Sequence, residues 1–137
     1  MKNNYVLNNE THIFYAFSRN PYDRIISAYF YKFNNLNKSI SDFQHFIINE
    51  LNNYNFKDEF NKYLIHFYPQ YLFVCNENYN IENVIVKKIE EKINPPNYDM
   101  KKYFTDDVLK IINKIYENDF LFFNYSIIEN THRSKLI

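Results

Sequence analysis

Arg19 and Ser27 are the side chains whose types and spacing best suit holding an anion. Arg19 follows the apolar, β-prone run His12-Ile-Phe-Tyr-Ala-Phe-Ser18 and precedes Asn20-Pro21, an N-cap and first-turn pair that starts a helix. An arginine at the C-terminal edge of a buried strand, with a helix N-terminus beside it, lies where open α/β sheets bind their ligands. Free helix N–H groups and a guanidinium fork both favour phosphate. Ser27, two turns into the helix, adds a hydroxyl donor. The plain alternative for the same spacing is an exposed arginine next to an ordinary helix.

His66 is a candidate general base, since a neutral imidazole near an acceptor hydroxyl can take its proton. It reads equally well as a helix-end histidine beside Pro69. Lys101 and Lys102, ahead of the last helix, are either additional phosphate ligands or a solvated charge run. His12, His45 and His132 are too scattered to form a metal site, and the lone Cys75 excludes an internal disulfide and a multi-cysteine zinc site. No metal is therefore expected.

These groups need elements to place them. His12 to Ser18 predicts a buried strand, and Tyr22 to about Phe33 a helix whose core face is Ile25, Ile26, Tyr29, Phe30 and Phe33. Ser41 or Asp42 would cap a second helix carrying Phe43, Phe46, Ile47 and Leu51. A third, from about Lys57 to His66, presents Phe60, Tyr63 and Leu64 and is stopped by Pro69. Tyr71 to Cys75 and about Val84 to Ile89 predict a hairpin turning through Asn76 to Asn80. Thr105-Asp106-Asp107 opens a last helix, with Val108, Ile111, Ile112 and Ile115 on its buried side. The tail from Thr131 to Ile137 is expected to be poorly ordered.

The 137 residues suit one domain. The 16 Lys plus Arg balance 16 Asp plus Glu, so charge gives no reason to expect a nucleic-acid partner. No apolar run nears the ~20 residues of a membrane span, and Met1-Lys-Asn-Asn is not a secretory signal. The 14 Tyr and 14 Phe can fill a core with few residues. Glycine is absent, so these residues contain no glycine loop of the kind that cradles phosphate, and turns must use Asn, Asp or Pro.

The stretch Arg19-Asn20-Pro21-Tyr22-Asp23-Arg24-Ile25-Ile26-Ser27-Ala28-Tyr29 resembles the 3′-phosphate-binding motif of the carbohydrate sulfotransferases related to the chondroitin and dermatan enzymes. His66-Phe-Tyr-Pro69-Gln70 is similar to that family's His-x-x-Pro-Gln segment, and Lys88-Ile89-Glu90 to the basic-aromatic-Glu piece after it, with Ile89 in place of the aromatic. Tyr103 to Asp107, Ile115 to Phe120 and Phe123-Asn124-Tyr125 resemble its closing helix and tail, with Asn124 where the family often has Gly.

The resemblance implies a single α/β domain over residues 1–137, mostly helical with a small, largely parallel sheet around a P-loop-like nucleotide-binding core. It implies 3′-phosphoadenosine 5′-phosphosulfate as donor, a carbohydrate hydroxyl as acceptor, and Arg19 and Ser27 as ligands of the 3′-phosphate. It also implies a loop rich in Lys, Gly, Thr and Ser for the 5′-phosphosulfate, which nothing before His12 matches. The expectation is a domain lacking its N-terminal strand-loop-helix, inactive alone and completed by a separately encoded N-terminal portion. A eukaryotic member would belong to the Golgi, and any other to the cytoplasm. The competing readings are a non-catalytic nucleotide- or glycan-binding remnant, a fragment of a longer or split gene, and an aromatic-rich helical interaction protein.

Overall fold

The computed structural model describes residues 13–33, 38–74, 84–89 and 100–129, with the Met100 and Lys101 side chains left aside. Strand β1 (Phe14–Ser18) leads through Arg19 and Asn20 into helix α1 (Pro21–Phe33). The local chemistry is as the sequence predicts. The Asn20 side chain accepts the Tyr22 N–H at 3.0 Å and its carbonyl takes the Arg24 N–H at 2.9 Å, while Pro21 has no N–H to satisfy. Ile25, Ile26 and Tyr29 are buried, and Phe30 and Phe33 pack on the same core.

Helix α2 (Ile40–His45) is capped by Ser39, ahead of the predicted Ser41 or Asp42. Asp42 instead closes a capping box, its carboxylate accepting the Ser39 N–H at 2.8 Å while Ser39 Oγ accepts the Asp42 N–H at 3.1 Å. The chain continues through a π-helical turn (Phe46–Glu50) and a 3-10 turn (Leu51–Asn53). Phe43, Phe46, Ile47 and Leu51 are all buried, as their spacing requires.

Further expectations need correction. The helix predicted from Lys57 to His66 is a 3-10 segment confined to Lys62–Phe67. Asparagine amides divert the backbone before it: Asn55 Oδ1 accepts the Lys57 N–H at 3.0 Å, and Asn61 Oδ1 accepts the Tyr63 N–H at 2.9 Å. Phe60 and Tyr63 consequently stay exposed, and only Leu64 of the predicted face reaches the core.

The hairpin is also wrong. Tyr71–Val74 is a helical turn, α3, and β2 (Val84–Lys88) pairs in parallel with β1, from Phe14 opposite Val84 to Ser18 opposite Lys88. The proposed turn Asn76 to Asn80 lies outside the described residues, as do Cys75, His12 and the tail from Thr131.

Helices α4 (Met100–Tyr103), α5 (Asp106–Ile115) and α6 (Glu117–Phe122) follow. Thr105 caps α5, accepting the Val108 N–H at 3.3 Å. Val108, Leu109 and Ile112 are fully buried, while Ile111 and Ile115 are partly so. The core is largely aromatic: Tyr22 packs on Phe104 and Phe120 at 5.5 and 5.0 Å, Tyr29 on Phe43 at 5.2 Å, and Phe46 on Phe67 at 4.9 Å.

The chain is thus mostly helical with a small parallel sheet, two-stranded among the described residues. The strand expected to be buried is covered on one face only. Ser18 is 1% exposed, whereas Tyr15 and Phe17 are 67% and 62% exposed on the opposite face. Among the described residues no helix is long and apolar enough to cross a membrane.

Candidate anion-binding site

The turn between β1 and α1, one side of α1, and the 3-10 segment enclose an open cleft of about 330 Å³. Its lining is Arg19, Arg24, Ser27, Ala28, Tyr31 and His66. Arg24, Ser27, Ala28 and Tyr31 follow the i, i+3, i+4, i+7 rule and so share one face of the helix. Arg19 comes from the strand end and His66 from the last turn of Lys62–Phe67, where its ring meets Tyr31 edge-on at 5.3 Å. Three predicted site residues, Arg19, Ser27 and His66, are therefore brought together. Lys102 is exposed and outside this lining, with its carbonyl accepting from Gln44 Nε2 at 3.2 Å. The Lys101 side chain lies outside the described part of the structure.

The electrostatics favour an anion. Two guanidinium groups line the cleft, and no carboxylate is among its lining residues. Arg24 is held by a 2.6 Å bond from Nη1 to the Tyr68 carbonyl. Burial draws Arg24 below the ordinary arginine range, Tyr116 and Asp119 oppose that shift, and the Arg19 charge adds to it. An arginine keeps its proton regardless, so two like charges line this cleft. Among the described residues the Arg19 guanidinium has no hydrogen-bond or ion-pair partner.

The helix end contributes less than expected. Pro21 lacks an N–H and Asn20 occupies those of Tyr22 and Arg24, and the cleft opens along the flank of α1. The site is a side-chain site.

Arg19 is anchored from two distant parts of the chain. The Gln70 amide accepts the Arg19 N–H at 2.9 Å and donates to the Arg19 carbonyl at 2.8 Å. Asp119, fully buried, accepts the Gln70 and Tyr71 N–H groups at 2.8 Å each. Burial pushes the Asp119 carboxyl up, and these bonds together with Arg24 pull against it without cancelling it. The same two bonds seed α3, which explains why the β-prone Tyr71-Leu-Phe-Val turns helical.

Sequence reading missed Arg24, Tyr31, Gln70 and Asp119 as parts of the site. Arg24 and Tyr31 had a usable signal, helical spacing from Ser27. Gln70 and Asp119 fall in stretches that resemble the family, but nothing local signals their contacts, because their partners lie 51 and 49 residues away.

The model of the Sulfotransferase family matches residues 1–94, more than half of the chain and inclusive of every residue lining the cleft. The chain belongs to the sulfotransferase family. Neither the curated proteins nor the solved structures contain a significant match. Membership in the sulfotransferase family implies use of a sulfonate donor in general, and a cleft with two arginines and no lining acid suits so anionic a molecule.

Proposed function

We propose that the cleft binds the 3′-phosphate of 3′-phosphoadenosine 5′-phosphosulfate, as in the carbohydrate sulfotransferases related to the chondroitin and dermatan enzymes. Arg19 and Ser27 are its ligands, and Arg24 is the second cation. The observation that carries the reading is the convergence of Arg19, Arg24 and Ser27 on one acid-free cleft in a chain of this family. On this reading the β1–α1–β2 unit is part of a P-loop-like nucleotide-binding core, and the acceptor is a sugar hydroxyl. His66, which also lines the cleft, is the proposed base for the acceptor proton.

Sulfuryl transfer also needs positive or hydrogen-bonding groups at the transferring group. The 137 residues contain no glycine, so they hold no glycine-rich loop for the 5′-phosphosulfate. These 137 residues by themselves are accordingly a nucleotide binder without turnover, and groups supplied from outside them would be needed to complete the transfer site.

Calorimetry with adenosine 3′,5′-bisphosphate and with adenosine 5′-monophosphate tests this. A charge-assisted bond to the 3′-phosphate stabilises by roughly 1.5–3 kcal/mol, so the bisphosphate should bind about tenfold or more tightly. Equal affinities would remove the 3′-phosphate reading. With labelled donor and a chondroitin or dermatan oligosaccharide, no labelled sugar should form. Sugar labelling that an Arg19→Ala variant loses would overturn the non-catalytic half.

A further inference from the structure

We infer that Gln70 is a positioning residue for the anion cleft, a brace that sets the direction of Arg19 and is itself fixed by Asp119. The inference rests on the reading of the cleft as an anion site. Arg19 sits where regular hydrogen bonding stops: the β1 ladder ends at Ser18 opposite Lys88, and the first α1 bond is accepted by Asn20. Both Arg19 backbone groups would be unpaired there, and its φ and ψ would be set by neither element.

The Gln70 amide pairs with both, acting as one residue of a neighbouring strand would. A primary amide suits this position because it carries an acceptor and a donor on one short plane. A carboxylate would meet the Arg19 carbonyl with a second acceptor, and a lysine would meet its N–H with a second donor.

The brace transmits position only if its own backbone is held. Asp119 on α6 holds it through the Gln70 and Tyr71 N–H groups, and Arg24 holds the same segment through the Tyr68 carbonyl. A cleft residue therefore grips the segment that braces the other cleft arginine. The guanidinium of Arg19, without a partner among the described residues, gets its direction from its backbone, and hence from Gln70.

The test is Gln70→Met, close in size but without the amide, with Gln70→Asn as a second variant that keeps the amide on a shorter stem. Each is titrated with adenosine 3′,5′-bisphosphate and adenosine 5′-monophosphate at a temperature where circular dichroism reports it folded. Amide exchange at Arg19 is followed by NMR. In the parent the Arg19 amide should be protected and the bisphosphate preferred.

In the variants that protection should fall, and bisphosphate affinity should drop about tenfold with the monophosphate unchanged. A merely structural glutamine would lower the melting temperature and leave the ratio of affinities alone, which would overturn the inference. So would an Arg19 amide that exchanges equally in parent and variants. A parent with no bisphosphate preference fails differently, since it removes the cleft reading itself and this inference with it.

Discussion

Asp119 is a fully buried carboxylate aimed at two backbone N–H groups. Because burial outweighs its partners, its folded value lies above the ordinary carboxylate range. The folded chain therefore binds this proton more readily than the unfolded chain. The Asp119 contribution is fully present below the unfolded value of about 3.9 and is lost as pH rises through the folded value. An Asp119→Asn variant lacks the titration. The stability advantage of the parent over that variant should be largest near pH 4 and shrink toward neutrality, read from urea midpoints across that range. An advantage that grows with pH would mean the two N–H bonds and Arg24 outweigh burial. Arg19, Ser27 and His66 were legible from residue type and motif, because local spacing put them beside a strand end, on a helix flank and at a turn. Asp119 was not, because nothing near it in sequence says that it meets Gln70.

Among the elements, the end of α6 gives a direct test of backbone chemistry. Asn124 has a φ of 57°, and the Tyr125 N–H returns to the Phe120 carbonyl at 3.0 Å, which closes the helix in a Schellman arrangement. The turn sends Tyr125 back to the sheet, where its hydroxyl meets Ser18 Oγ at 2.8 Å and Lys88 Nζ lies 4.4 Å from its ring. Asparagine tolerates this left-handed region better than alanine and less well than glycine. Asn124→Ala should cost about 1 kcal/mol, and Asn124→Gly should match or exceed the parent, both measured by thermal melts. Equal stability of all three would deny the strained turn. Helices α1 and α5 were legible because cap and apolar period agree over more than two turns. The hairpin was not, since Tyr71-Leu-Phe-Val reads as strand by composition, while its helical turn is capped by the distant Asp119. The parallel pairing of β2 with β1 joins residues 70 apart, a distance that no turn signal spans.

Over the whole molecule, one aromatic core ties the β1–α1 unit to the C-terminal helices. Tyr22 is the clearest tie, packing on Phe104 and Phe120 and giving its hydroxyl to Asn113 Oδ1 at 2.5 Å while accepting the Ile128 N–H at 2.8 Å. Burial raises Tyr22 above the ordinary tyrosine range against those two bonds, so it stays a neutral hydroxyl that can both donate and accept at neutral pH. The family match ends at residue 94, yet Asp119 and Tyr125 beyond it hold Gln70 and Ser18. The site thus depends on nearly the full length of the chain. Its central claim is that Arg19 reads a 3′-phosphate, and the most direct measurement is calorimetry of Arg19→Ala beside the parent. The variant should lose about tenfold or more in affinity for adenosine 3′,5′-bisphosphate and nothing for adenosine 5′-monophosphate, with Ser27→Ala losing less. An Arg19→Ala chain that binds the bisphosphate as tightly as the parent would contradict the account.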